Sequence, residues 1–322
     1  MTAEALTWLL EADNPSARYL ALTGLLDRPA DDAEVRSAQA AIPGWGPARA
    51  ILDAQWPEGY WMHPGVGYSP KYKATVWQVI FLAQLGAPRT EAIDRACTYV
   101  LDHARLPSGQ FTADKTVKGA ILCLGGNLLR AMLQLGYYDP RVEQSLEALA
   151  TTAIRDGFRC RCNASPRATQ HRDGLPCAWG AVKVLGALAQ VPVERRSPAV
   201  EAAIEAGVAL LLSGDPATGD YPAAGRPSEL WQKLSFPLGY ASDQLEVLEV
   251  LCAATFRIGQ PDVRHDPRLA AVIEAVRSKQ DKVGRWALEH TPSNTWARFG
   301  TVGRPNKWVT LRALRVLSQG EM

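Results

Sequence analysis

Gln55-Trp-Pro-Glu-Gly-Tyr-Trp61 and Gln280-Asp-Lys-Val-Gly-Arg-Trp286 each set a glycine two residues ahead of a tryptophan. A glycine followed closely by an aromatic residue recurs at Gly109/Phe111, Gly157/Phe158 and Gly219/Tyr221, and the aromatic positions are spaced by 50, 47, 63 and 65 residues. A polar, helix-like stretch precedes each pair, as in Asp139–Ile154 and Ser197–Leu212. A more apolar one follows. Apolar residues recur at helical spacing in Ala5–Leu10, Ala17–Leu26, Ala74–Leu85, Ile121–Leu135, Ala178–Ala189, Leu245–Phe256 and Trp308–Leu317. Leu85-Gly86, Leu135-Gly136 and Ile258-Gly259 read as glycine stops at helix ends. Asp139-Pro-Arg141 and Asp266-Pro-Arg268 offer a capping Asp with Pro in the first turn. No segment alternates with period two between hairpin signals, so no sheet is expected.

The repeating unit is therefore an outer helix, a glycine-aromatic turn and an inner helix. One such hairpin cannot bury its apolar face alone, so several must stack or close into a ring. The uneven period suits a ring with loops of variable length. The expected fold is all-α, an α/α toroid of about five to six hairpins. It forms a single domain over 1–322, with 1–50 as an irregular first repeat or a cap.

The composition is 47% hydrophobic and 21% charged over 322 residues, which excludes a disordered chain. Thirty-five basic against 33 acidic residues leave a net charge of +2, giving no case for a nucleic-acid partner. The apolar runs are far too short for a transmembrane segment. The stretch MTAEALTWLLEADNP carries acidic residues and no cationic start, unlike a signal peptide. Six cysteines are too few for a disulfide scaffold in a chain this long. A cytoplasmic protein is expected, with any clustered thiols serving metal binding or catalysis.

The turns at Gln55–Trp61 and Gln280–Trp286 resemble the Gln-x-x-Gly-x-Trp-like motif of the α/α-toroid superfamily of terpenoid cyclases and protein prenyltransferases. More closely, the chain resembles bacterial single-toroid proteins termed squalene-cyclase-like or prenyltransferase-like. The matching stretches are Asp13–Tyr19, Tyr68–Thr75, Cys123–Arg130, Asp156–Cys160, Cys177–Gly180, Phe236-Pro237 and Lys307–Thr310, distributed over nearly the whole length. The resemblance implies a central hydrophobic cavity and a small isoprenoid-like substrate with an anionic head. It also implies transfer or cyclisation chemistry and, as in protein prenyltransferases, room for a partner subunit; the alternative is a non-catalytic toroid with a structural zinc that binds a lipid, an isoprenoid or a partner protein. Class II cyclases protonate an alkene with Asp-x-Asp-Asp, which this chain lacks. That departure points to metal-assisted chemistry. Protein prenyltransferases hold zinc with Asp, Cys and a distant His. Asp156 and Cys160 resemble the first two, whereas no counterpart of the His follows Phe236-Pro237.

In an α/α toroid the inner helices run parallel and begin at one rim. Cys123 and Cys177 sit near the starts of successive inner helices, and Cys160 and Cys162 lie in the turn leading to the second, with His171 among them. Thiolates and imidazole are what Zn²⁺ takes, and helix N-termini favour thiolate over thiol. The expected zinc set is Cys123, Cys160 and Cys177, with Cys162, His171 or Asp156 as a fourth ligand. Three protein ligands leave a catalytic position open, and four make a structural site. The plainer reading makes Cys123 and Cys177 buried helix residues. Cys97 and Cys252 lie in apolar helical surroundings and read as core.

Lys71 and Lys73 precede one inner helix, and Arg298, Arg304 and Lys307 precede the last. In a closed ring these cations share the cysteine rim and suit a phosphate or carboxylate, or they are ordinary loop cations. Trp77, Trp179, Tyr240 and Trp308, with Phe236, sit near inner-helix starts and either line a cavity or fill the core. Asp243 is a helix cap or a buried acid at the cavity. With Asp156 it makes the pair of candidate catalytic carboxylates.

Overall fold

The computed structural model describes residues 1–159, 175–221, 228–256 and 262–318. In chain order the α-helices are α1 (Ala3–Leu9), α2 (Pro15–Gly24), α3 (Ala33–Ala41), α4 (Gly46–Leu52), α5 (Thr75–Gln84), α6 (Glu91–Ala104), α7 (Leu122–Gln134), α8 (Pro140–Asp156), α9 (Ala178–Leu188), α10 (Pro198–Leu212), α11 (Gln244–Thr255), α12 (Ala270–Arg277) and α13 (Lys307–Ser318). Among the described residues, β-structure is limited to isolated bridges. The chain is all-α, as its periodicity predicts.

From α4 onward the helices alternate between an outer and an inner layer. α5 packs on α7, α7 on α9, α9 on α11, α11 on α13, and α13 on α2. The ring closes between α2 and the end of α5, where Ser16 donates 2.7 Å to the Leu85 carbonyl and Gly86 seats Tyr19 and Leu20. Four outer helices bridge neighbours: α8 lies on α7 and α9, α10 on α9 and α11, α12 on α11 and α13, and α1 on α13 and α2. The N-terminal segment is thus a member of the ring.

Sequence explains the layering. Thr75 to Ala83 of α5 are all buried, as are all residues of α9 except Trp179. A helix apolar all round needs neighbours on every side. α6 instead buries the stripe Ile93, Ala96, Cys97, Val100 and Ala104 and exposes Glu91 and Asp102. α7 and α9 approach closely because a Cβ on Gly126 would fall on the Lys183 carbonyl. The stops at Gly86 and Gly136 adopt positive φ, whereas Ile258-Gly259 lies outside the described residues. Asp139 caps α8, and Asp266 starts a 3₁₀ turn ahead of α12.

Three of the five glycine-aromatic turns do the same job. Trp61 Nε1 donates 2.7 Å to the Ile51 carbonyl, Tyr221 OH 2.8 Å to Leu211, and Trp286 Nε1 2.7 Å to Val276. Each acceptor is the penultimate residue of an outer helix, in the last turn, where carbonyls lack their i+4 partner. The backbone N–H groups of Trp61 and Trp286 then reach Thr75 Oγ1 (3.1 Å) and Thr310 Oγ1 (2.9 Å) on the following inner helices. Gly59 and Gly284 have φ of +97° and +86°, which side-chain-bearing residues rarely adopt. A Cβ on Gly284 would also strike Thr2, so the last turn lies directly against the start of α1.

Further bonds fasten this seam. Thr2 Oγ1 donates to the Val283 carbonyl (2.9 Å), Trp308 Nε1 to Ser16 Oγ (2.9 Å), and Lys307 Nζ pairs with Asp13 (2.5 Å) and Glu11 (2.9 Å). No described helix is long and apolar enough to cross a membrane.

Candidate functional site

Inside the ring, a cavity of about 260 Å³ lies among the later residues of α2, α5 and α7, the first half of α11 and one side of α13 from Trp308 to Arg315. Its apolar wall is Ile80, Ala83, Ala131, Leu238 and Leu311, together with Phe236 stacked on Trp308 at 4.6 Å and 7°. The segment carrying Phe236 is tied across the ring. Gln84 both accepts from the Leu238 N–H and donates to its carbonyl, each at 2.7 Å, and Asn127 Nδ2 donates 3.0 Å to the Gly239 carbonyl. The cavity reaches the surface at exposed Gln134, the last residue of α7. Its opening is therefore at the C-terminal ends of inner helices.

The remaining wall is charged. Lys183 Nζ pairs with Glu246 at 2.6 Å, both buried, and Arg130 reaches the other Glu246 oxygen at 3.3 Å. Arg312 contacts Asp243 (3.0 Å) and Glu249 (2.8 Å). Burial pushes the Arg312 guanidinium down, but Asp243 and Glu249 together outweigh it and hold it above its ordinary value. Arg315 differs. Burial lowers it, Arg130 and Arg312 add to the push, and the pull of Glu249 does not compensate. Burial raises Tyr19, against an opposing pull from Arg315.

Asp243 caps α11 through Glu246 N (2.7 Å) and also accepts from Ser235 N (2.7 Å) and two Arg312 nitrogens (3.2 and 3.0 Å). Cap and buried acid are thus one residue. With four donors on two oxygens, this carboxylate holds Arg312 in place on the cavity wall. The luminal wall presents ring faces, guanidinium donors and carboxylates already engaged by cations, an arrangement suited to binding and charge stabilisation.

The other expected site residues are distributed as follows. Trp308 lines the cavity. Lys71, four residues before α5, lies over the Tyr240 ring at 4.6 Å, and Trp179 meets Tyr240 edge-on at 6.4 Å. These three converge at the N-terminal rim. Lys73 lies over Trp296 (4.9 Å), whose indole donates to the Lys73 carbonyl. Trp77 is core, donating 2.8 Å to the Tyr68 carbonyl. The Lys307 ammonium is taken by Glu11 and Asp13 at the ring seam.

Cys177 caps α9, its Sγ accepting from Gly180 N at 3.4 Å, and Cys123 is buried in the first turn of the adjoining α7. Cys160, Cys162 and His171 lie outside the described residues. Asp156 ends α8 beside Arg155 at 2.9 Å. Among the described residues, no three His, Cys, Asp or Glu side chains gather to hold a metal. Burial raises the Cys97 thiol and pushes Cys252 up to about 11, as expected of core thiols.

Sequence reasoning missed Arg130, Lys183, Glu246, Glu249, Arg312 and Arg315. Their signal was present as charges placed three apart within apolar inner helices, Glu246/Glu249 and Arg312/Arg315. Such charges in a ring's inner layer must face a cavity or one another.

No family model matches this chain, and no curated protein matches it. Among solved structures, the apo type II terpene cyclase MstE from Scytonema is 16% identical with a TM-score of 0.30, over 84% of this chain and 95% of that one. A mutant MstE in complex with geranylgeranyl dihydroxybenzoate is 14% identical with a TM-score of 0.28, over 98% and 97%. A mutant family 10 polysaccharide lyase from Cellvibrio cellulosa in complex with trigalacturonic acid is 15% identical with a TM-score of 0.32, over 69% and 82%. At these scores the ring is established by its own helix packing.

Proposed function

We propose that the protein is an enzyme-like toroid that takes a small isoprenoid-like molecule into its luminal cavity for transfer or cyclisation. One observation carries the reading: the ring interior is left open beside the Phe236–Trp308 stack. Filling that space with larger side chains would bury more apolar surface, so an open lumen costs stability and suits a ligand. Electron-rich ring faces can hold a branched hydrocarbon and stabilise positive charge developing on it.

The zinc reading stays with Cys123 and Cys177, whose place at adjoining helix starts supports it. Cys160 and either Cys162, His171 or Asp156 would complete the set, and bound zinc would supply Lewis-acid or nucleophile-activating chemistry. Metal analysis of the purified protein tests this separately: less than stoichiometric zinc, or zinc unaffected by Cys123→Ala and Cys177→Ala, refutes it.

The luminal reading is tested with geraniol as an apolar probe, by calorimetry and thermal shift. Ala131→Phe places a ring in the cavity from α7. We expect the native protein to bind and the variant to bind at least tenfold more weakly. Equal affinity in both, or no binding to the native protein, rejects the lumen as the site.

A further inference from the structure

The charged wall of the lumen offers more donors than the protein supplies acceptors. Arg315 Nη2 donates 2.8 Å to the Leu20 carbonyl, while its Nε is buried with no hydrogen-bond partner. Arg130 uses one nitrogen, at 3.3 Å from Glu246. Tyr19 shares this wall, and its hydroxyl makes no hydrogen bond among the described residues. Buried donors left without acceptors are costly and uncommon in native proteins, and Arg315 Nε is one, whereas Arg130 and Tyr19 are partly exposed.

Both guanidiniums occupy prepared berths. A Cβ on Gly24 of α2 would fall within the Arg315 guanidinium, and one on Gly186 of α9 would lie 3.1 Å from Arg130 Nη1. Two different inner helices thus give up a side chain where an arginine lies. The network around the cavity sets Arg130, Lys183, Arg312 and Arg315 against Asp243, Glu246 and Glu249, four positive groups to three negative. Arg315 lies in the last turn of α13, where the negative helix terminus relieves part of the cost of the charge. It supplies no acceptor for the unused N–H groups.

We propose that Arg315, Arg130 and Tyr19 form a receptor for the carboxylate of a small amphiphilic acid whose apolar body lies along the Phe236–Trp308 face. The proposal rests on the luminal reading above and narrows its ligand class. A carboxylate accepts bidentate guanidinium donors and a hydroxyl together. Its single charge balances the surplus of one, whereas a phosphate dianion would leave one negative charge uncompensated.

Geranic acid, geraniol and geranyl phosphate share a branched body and differ in the head, so calorimetry at pH 7.5 with all three separates body from head. We expect geranic acid to bind at least tenfold more tightly than geraniol. In Arg315→Met that preference falls to below threefold while geraniol affinity changes less than threefold. Tyr19→Phe reduces the preference partly, and Arg315→Lys keeps the charge but loses the fork and falls between. Equal weakening of acid and alcohol in Arg315→Met would mean a structural clasp and overturn the proposal. Tighter binding of the phosphate than of the acid would overturn the choice of a monoanion. Geraniol bound with no preference for the acid overturns the receptor and leaves the luminal reading standing. Binding of none of the three overturns both. Should Arg315→Met fail to fold, Arg130→Met and Tyr19→Phe are read by the same acid-to-alcohol ratio.

Discussion

Replacing Lys183 by Met removes one half of a fully buried ion pair and leaves Glu246 with only the 3.3 Å contact to Arg130. Stranding one member of such a pair typically costs about 3–5 kcal/mol. The residual Arg130 contact places this case at the lower end, ~3 kcal/mol. An unfolding entropy of about 2.1 cal/mol/K per residue gives ~0.7 kcal/mol/K for 322 residues, so Tm should fall by about 4 °C. Glu246→Leu strands Lys183 and should cost about as much. The double variant strands neither and should be at least ~2 kcal/mol less destabilised than the sum of the singles, because a buried pair can be exchanged for apolar packing at small net cost. Urea unfolding with a thermal melt measures all four proteins. A Lys183→Met variant within ~0.5 kcal/mol of native, or additivity within that range, would refute a coupled pair in the ring interior.

Tyr221→Phe removes only the bond to the Leu211 carbonyl and should cost about 1 kcal/mol in urea unfolding, the worth of one turn lock. Gly126→Ala drives a methyl into the α9 backbone at Lys183 and should cost more than about 2 kcal/mol, measured the same way. Burial and then Lys233 lower the pKa of His290, against a pull from Asp243. Its stabilising effect is therefore present above the unfolded value of about 6.5 and lost as pH falls through the lower folded value. Tm should drop as pH falls below about 6.5, and His290→Gln should flatten that slope. With Cys97 raised by burial and Cys252 at about 11, neither thiol should be titrated by a disulfide reagent at about pH 8 until denaturant is added.

The ring was legible in the sequence because its parts obey local rules. Glycine at a positive-φ turn, an aromatic donor at a fixed offset and a nearly all-apolar inner helix each leave a mark within about ten residues. Trp61, Tyr221 and Trp286 carry that mark and behave alike in three dimensions. The charged lumen was less legible because each of its pairs spans separate repeats. Arg312 and Asp243 are 69 residues apart, and Lys183 and Glu246 63. Lys307 shows the converse: its position before an inner helix suggested an anion site, but Glu11 and Asp13, nearly the whole chain away, pair with its charge. Trp77 and Trp308 have the same local setting, an apolar inner-helix start. Which of them borders the cavity depends on a crossing segment, Phe236 to Gly239, that periodicity does not register.

The place of α13 between α11 and α2 means that the chamber has no complete wall until residues 307–318 have been synthesised. Before then the nascent molecule is an open horseshoe whose cut edges show the greasy flanks of α11 and α2 to water. Elongation thus runs through a stage at which a chaperone, or a neighbouring unfinished copy, can occupy the gap reserved for the final stave.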